Sequence, residues 1–434
     1  MRETYYETLQ ERVYEETLPN GLRVFVLEKP GFRQTYACFT TRYGSIDNDF
    51  TVPGGEGVRH VPDGIAHFLE HKMFEEEHGD VFNDFARQGA QTNAFTTFDS
   101  TTYLFSSTSR VLDNLTTLVD FVQRPYFTDE NVEKEKGIIA QEIRMYDDNA
   151  FWQVFKGLLR GLYGEHPLSV DIAGTVDSIM QISKDDLYDC YNTFYHPGNM
   201  VLFVVGPLDA KTIMEHVRKN QEGKGYEPRR EIIRTLPEVQ RCPASSRVEM
   251  HLALSQPRTL FGFKDDQVPN EPLLRQRHEA AMEIALDGLF SRGSDLYYAL
   301  IDEGLADAGF SASYELTPLY GHTMMGGNSN QPEALSERVR EALVAAAQAG
   351  LDRGVFERTR KKAVGRFLSL LDSPQGLANV YTQQILRGLD VLTTLELLRN
   401  LSLDDVNAAL RAHVQPDQFS VSIVWPKVDG SEPT

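Results

Sequence analysis

His67, Glu70 and His71 fall at i, i+3 and i+4 within Asp63-Gly64-Ile65-Ala66-His67-Phe68-Leu69-Glu70-His71-Lys72-Met73-Phe74. The apolar spacing predicts a helix there, with Asp63 as its N-cap. On a helix the three side chains, with Phe74, share one face. Two imidazoles one turn apart can grip a single Zn²⁺ at about 2.0–2.1 Å. A carboxylate on that face can reach the water held by the metal and take its proton as it attacks a peptide carbonyl. A bare pair of histidines four apart also occurs on half-buried helices with each ring satisfied by nearby backbone. Glu70, and a third donor further along the chain, tip the balance toward metal chemistry.

A three-ligand site needs another histidine or carboxylate. The segment Glu130 to Tyr146, also read as helix, offers Glu133, Glu135 and Glu142. Glu135 and Glu142 stand two turns apart on one face. Glu142 sits in the apolar run Gly137-Ile138-Ile139-Ala140-Gln141-Glu142-Ile143, where an unpaired carboxylate is costly to bury and a metal supplies the missing partner. For Glu133 and Glu135 alone, a solvated acidic face explains as much. Arg277-His278-Glu279-Ala280-Ala281-Met282 begins like another zinc motif, but Met282 stands where a second histidine is required. His60, His78, His166, His196 and His322 have no partner at ligand spacing.

The order HxxEH, followed by a downstream glutamate, resembles the insulinase or pitrilysin family of inverzincins. The likeness is closer still to the short bacterial members akin to mitochondrial processing peptidase. Gly89-Ala90, Asn93-Ala94-Phe95-Thr96, Thr102-Tyr103, and the run from Phe194 to Met200 with Val204-Val205-Gly206 match family positions too. The motifs are dense over residues 18–206 and thin but in order after 245. The resemblance implies a zinc endopeptidase acting on extended peptides or unfolded segments between two bowl-like halves. It makes Glu142 the third ligand of one zinc per chain and Glu135 a carboxylate that supports the site. It also sets Asn93, Ala94 and Phe95 on an edge strand that a peptide joins as a further strand. From the residues alone, Asn93 could equally sit in a turn. Some relatives keep the fold as structural subunits after losing catalysis, which is the rival reading.

One departure stands out. The family's second domain typically supplies an Arg and a Tyr that reach the substrate near the zinc. Aligned on Gly304-Leu305, this chain has Leu300 and Asp307 at those positions. The resemblance therefore implies a heterodimer with a related, zinc-free chain that carries the Arg and Tyr, ahead of a homodimer.

The elements that must position these residues read as α+β. Leu18-Pro19-Asn20-Gly21-Leu22 places a turn before an alternating strand to Leu27. Thr35–Tyr43, Thr101–Ser107 and Met200–Val205 read as further strands. Ile65–Phe74, Val111–Arg124, Glu130–Tyr146 and Lys184–Phe194 read as helices. With 434 residues, one core is not enough. A polar, Gly- and Pro-bearing break divides the chain into a zinc-binding domain over 1–220, a linker over 221–245 and a metal-free homologous domain over 246–434. After the break the order recurs: a strand at Thr259–Phe263, a helix at Pro272–Phe290, strands near Ala312 and Met324, then two helices from Glu333. Thr128–Lys136 is echoed by Asp352–Arg360. The expectation is two duplicated domains, each a mostly antiparallel sheet packed with helices.

The 63 acidic residues against 43 basic ones leave a net charge of −20, which repels nucleic acid and anionic membrane. No apolar run is long enough to span a bilayer, and Met1 to Glu7 shows no export signal. Cys38, Cys190 and Cys242 fit neither a disulfide framework nor a metal knuckle. A cytoplasmic setting with reduced thiols is expected.

Overall fold

A computed structural model describes residues 1–226 and 231–427, so four positions of the expected linker, 227–230, lie outside the described residues. The fold is α+β. In chain order the strands of the first half are β1 (Arg2–Tyr6), β2 (Glu11–Thr17), β3 (Arg23–Glu28), β4 (Thr35–Thr41), β5 (Asp49–Thr51), β6 (Arg59–His60), β7 (Glu75–Glu76), β8 (Gly79–Asp80), β9 (Ala90–Thr96), β10 (Thr101–Ser107) and β11 (Met200–Gly206). Its helices are α1 (Ile65–Met73), α2 (Val81–Arg87), α3 (Val111–Val122), α4 (Asp129–Asp147), α5 (Ala150–Tyr163), α6 (Val176–Gln181), α7 (Lys184–Phe194) and α8 (Ala210–Glu222). The second half holds β12 (Ile233–Arg234), β13 (Arg247–Leu252), β14 (Arg258–Phe263), β15 (Ser311–Leu316), β16 (Gly321–Asn328) and β17 (Phe419–Pro426). With them are α9 (Pro272–Phe290), α10 (Asp295–Asp302), α11 (Pro332–Ala349), α12 (Arg353–Leu370), α13 (Pro374–Leu386), α14 (Thr394–Asn400) and α15 (Leu403–His413).

Seven strands form one sheet in the order β1-β2-β3-β11-β4-β10-β9. β4 and β11 are buried along their whole length, because the centre of the sheet leaves neither face to water and calls for continuous apolar runs. The β2–β3 turn forms where the Asn-Gly signal stands: Gly21 has φ 88°, and Leu18 and Leu22 close the turn with a 2.8 Å backbone bond.

The second sheet runs β13-β17-β14-β16-β15. Its strand order repeats β3-β11-β4-β10-β9, and each set has one parallel pair, β3 with β11 and β13 with β17. The remaining pairs are antiparallel in both. The duplicated architecture is thus written in the register of the sheets as well as in the order of elements.

The described residues divide into two compact units: 1–143, 171–226, 231–236 and 369–392 in the first; 144–170, 237–368 and 393–427 in the second. Helices are exchanged between the sequence halves. α5 lies on β13, β14 and β17, while α13 lies on β4 and β11. Gly157 and Gly161 let α5 lie flat, since a Cβ at either would come within 2.2 Å of Ser422 Oγ or Ser420 Oγ. Packing units and sequence repeats are therefore different divisions of this chain. Within the first unit, β12 pairs with β5 and Arg234 meets buried Asp47 at 2.8 Å.

The helix that carries the histidines begins differently from the expectation. Gly64, with φ 88°, occupies the cap position and no side chain caps α1. Asp63 instead accepts a 2.6 Å bond from Asn48 Nδ2. The reason is steric: a Cβ at Gly64 would sit 2.4 Å from the Ala173 carbonyl oxygen, so the chain enters α1 through a left-handed residue.

Candidate metal centre

Ile65, Ala66, Phe68, Leu69 and Met73 bury one side of α1 in the core of the first unit. That anchoring turns His67, Glu70 and His71 toward α4, as the spacing predicts. His67 Nε2 lies 3.8 Å from Glu142 Oε1, and His71 Nε2 lies 3.6 Å from Glu142 Oε2. One ligand atom from each of the three residues falls within 4.8 Å of the others, the one such group among the described residues. These gaps are too long for hydrogen bonds. They are close to the roughly 3.3 Å that separates donors placed tetrahedrally about 2.0–2.1 Å from a common ion. His67 Nδ1 is buried with no hydrogen-bond partner among the described residues, so the ring's polar approach is that of Nε2 to Glu142. Two imidazoles and a carboxylate at this spacing fit one Zn²⁺.

Glu135, two turns before Glu142 on α4, stands behind His71: its Oε1 lies 3.0 Å from His71 Nδ1. A proton on Nδ1 donated to that carboxylate leaves the Nε2 lone pair toward Glu142. Burial, helped by the neighbouring His71, pushes His67 down to about 3, which keeps it in the neutral form a ligand must have. Burial also lowers His71, but the Glu135 hydrogen bond and the charges of Glu70, Glu135 and Glu142 outweigh it and move the group upward. Glu70 is pushed up to about 7, by burial first and by the charge of Glu142, against the Thr96 hydrogen bond and His71. A carboxylate poised near neutrality suits proton transfer at physiological pH.

β9 flanks α1 and is the outer strand of its sheet. Asn93, Ala94 and Phe95 pair with Leu104, Tyr103 and Thr102 of β10, and no strand of the described residues lies against the opposite edge. A cavity of about 730 Å³ opens beside them, lined by Glu70, His71, Asn93, Ala94, Tyr126 and Ile138 among others; Phe95 is outside that lining. Thr96 Oγ1 donates to Glu70 Oε2 at 2.6 Å. The role of Thr96 was missed in the sequence. Its signal was the strand period of two, which puts Thr96 on the face of Ala94.

The other histidines lie elsewhere. His278 meets Asp265, His322 meets Tyr163, and His196 and His166 accept backbone N–H groups. The second repeat shows what replaces the cluster. Extending the Thr128–Lys136 echo brings Glu142 into register with Arg366 on α12. Arg366, with Lys362, holds Asp287 of α9 at 2.8 Å. Where the first unit sets imidazoles against a carboxylate, the second sets a carboxylate against two cations. That cluster satisfies itself.

The family model described as Insulinase (Peptidase family M16) matches residues 60–176, and that described as Peptidase M16 inactive domain matches 181–363. A Bacillus subtilis protein called uncharacterized zinc protease YmfH is 45% identical over 422 residues, covering 97% of this chain and 98% of its own. The beta subunit of the mitochondrial-processing peptidase of Caenorhabditis elegans is 29% identical over 208 residues, 47% of this chain and 43% of that one. The crystal structure of a putative M16-like peptidase from Alicyclobacillus acidocaldarius superposes with a TM-score of 0.92 at 44% identity, covering 96% of this chain and 99% of the other. The chain belongs to the insulinase family, peptidase family M16.

Proposed function

We propose that this chain is a zinc-dependent endopeptidase hydrolysing extended peptides or unfolded segments. In this reading His67, His71 and Glu142 hold the metal, Glu70 is the general base, and Glu135 supports His71. Asn93, Ala94 and Phe95 form the strand along which the substrate aligns. The observation that carries it is the convergence of three ligand atoms within 4.8 Å beside Glu70, at a cavity bordered by an unpaired strand edge. A zinc ion held there supplies Lewis acidity, polarising a carbonyl and bringing the pKa of a coordinated water to about 7. The chain's own groups do the rest. The outer N–H and C=O groups of β9 bind an extended peptide by β-augmentation and fix its register. Thr96 occupies Oε2 of Glu70, which leaves Oε1 to accept the proton released as the carbonyl is attacked and to return it to the leaving amine.

The rival reading is a non-catalytic assembly subunit. It leaves unexplained why the ligand set and Glu70 are all present. Residues 1–220 then form the catalytic repeat and 246–434 its metal-free counterpart, in keeping with the Asp287–Arg366 pair. A related zinc-free partner supplies the missing Arg and Tyr. The buried, unpaired Cys38 and Cys190 and the exposed Cys242 favour a reducing, cytoplasmic setting. No helix of the described residues is long and apolar enough to cross a membrane.

The test is cleavage of a mixed peptide library by the purified chain and its candidate partner, with and without chelator, beside Glu70→Gln. Hydrolysis should vanish with chelator and fall at least 10²-fold in Glu70→Gln while zinc stays bound, since an amide keeps the shape but cannot take the proton. Activity of Glu70→Gln within about tenfold of the parent removes Glu70 from the role of base.

A further inference from the structure

Lys72 follows His71 directly, yet it is 0% exposed. A fully buried ammonium is rare without paired carboxylates. Lys72 Nζ has two of them: Glu75, in a close ion pair, and Glu135, whose Oε2 lies 3.9 Å away. The second contact matters because of what the other oxygen of Glu135 does. Oε1 is the atom 3.0 Å from His71 Nδ1. One carboxylate thus bridges an imidazole and an ammonium through different oxygens.

We infer that Lys72 is a positioning residue of the metal centre. Its ammonium draws one oxygen of Glu135 inward, so that the other stays on His71 Nδ1 and His71 presents Nε2 toward Glu142. The carboxylate side chain is only 11% exposed, so water does little to hold it in place. A free carboxylate at the end of a glutamate can rotate about its last bond and can swing away from the ring; a cation on its far side removes that freedom. An apolar residue of the same length would fill the space of Lys72 without restraining Glu135. The inference rests on reading His71 as a ligand.

Zinc affinity of the full-length chain, read by competition with a chromophoric chelator, tests it without recourse to activity. Lys72→Met should weaken zinc binding about 10- to 100-fold, the usual consequence of losing a partner behind a ligand. Glu135→Gln should do the same. If Lys72 acts through Glu135, the double variant binds zinc no more weakly than Glu135→Gln alone. A parental affinity in Lys72→Met, or losses that multiply in the double variant, overturns the inference. Should Lys72→Met not fold by circular dichroism, Glu75→Gln decides instead. It keeps the ammonium and leaves Glu135 as its carboxylate, so affinity should match the parent or exceed it, and a tenfold loss overturns the assignment. Absence of zinc binding by the parent chain would fail the metal reading itself, which is a different result.

Discussion

Thr96 Oγ1 donates to Glu70 Oε2 across 2.6 Å, joining the edge strand β9 to the helix that carries the histidines. One hydroxyl thereby couples the strand proposed to align the peptide with the group proposed to take the proton. Thr96→Val keeps the shape and removes the donor. A hydrogen bond to a charged acceptor contributes about 1.5–3 kcal/mol, so kcat should fall roughly 10- to 100-fold with zinc content unchanged. Steady-state kinetics and elemental analysis of the same preparation check both halves. An unaltered kcat would mean that Thr96 does not orient the base.

His67→Ala, His71→Ala and Glu142→Ala should each strip most of the zinc, because a three-ligand site has no spare donor. Glu133, on the same helix as Glu142, pairs with Lys136 at 2.5 Å. Glu133→Ala is therefore the matched control and should retain about one zinc per chain. Full occupancy in all three ligand variants would sink the assignment of the site.

Much of this site was legible in the sequence because its signals are local. His67, Glu70 and His71 declare themselves by spacing on one helix, and α4 places Glu135 and Glu142 by the same rule. The helix read over Pro272–Phe290 spans the residues that form α9. What escaped depends on contacts between distant segments. Asp63 looks like a cap until Ala173 forces a left-handed glycine into that place. Thr96 is one hydroxyl among many until the register of β9 sets it against Glu70. Spacing assigns Lys72 no role, and its burial beside Glu75 and Glu135 follows only from the packing of the fold. The exchange of α5 was invisible too, since its sheet partner β17 lies some 260 residues downstream and an amphipathic helix does not name its sheet.

The second unit has its own buried charge. The Asp265 carboxylate accepts from Tyr314 at 2.5 Å, His278 at 3.0 Å, His413 at 3.3 Å and the Gln267 N–H at 2.8 Å. Burial alone would raise this group. The hydrogen bonds from His278 and His413, the charge of His413 and the Tyr314 hydroxyl outweigh it and hold Asp265 well below the usual carboxylate range. A carboxyl depressed in the folded state adds stability that is complete above its unfolded value of about 3.9 and fades as pH falls below that. Asp265→Asn should therefore cost about 3 kcal/mol at pH 7, as for a broken buried pair. The gap from the parent should narrow as pH drops from about 4 downward. Urea unfolding across pH 7 to pH 3 measures it; a gap constant over that range would mean that charge is not the source.

Leu300 and Asp307 lead to the last prediction. Both stand where the family resemblance calls for substrate-facing donors, and neither side chain can serve. Leu300 is fully buried on α10. Asp307 spends Oδ1 on the Gly309 N–H at 2.8 Å and Oδ2 on Asn328 Nδ2 at 3.0 Å. A developing oxyanion needs donors aimed at it, and loss of one such donor lowers kcat by about 10²- to 10³-fold. The isolated chain should consequently be a weak peptidase or inactive. A related, zinc-free chain carrying an Arg and a Tyr at these positions should raise turnover by at least 10²-fold and appear with it as a heterodimer. Replacing that Arg and Tyr in the partner should return activity to the level of the isolated chain while leaving the complex intact. A homodimer could not substitute, because a second copy brings the same Leu300 and Asp307. Light scattering of the mixed chains and peptide cleavage at matched zinc content give the answer. Fast turnover by the isolated chain, unmoved by any related partner, would end the complementation idea and leave the His67, His71 and Glu142 centre untouched.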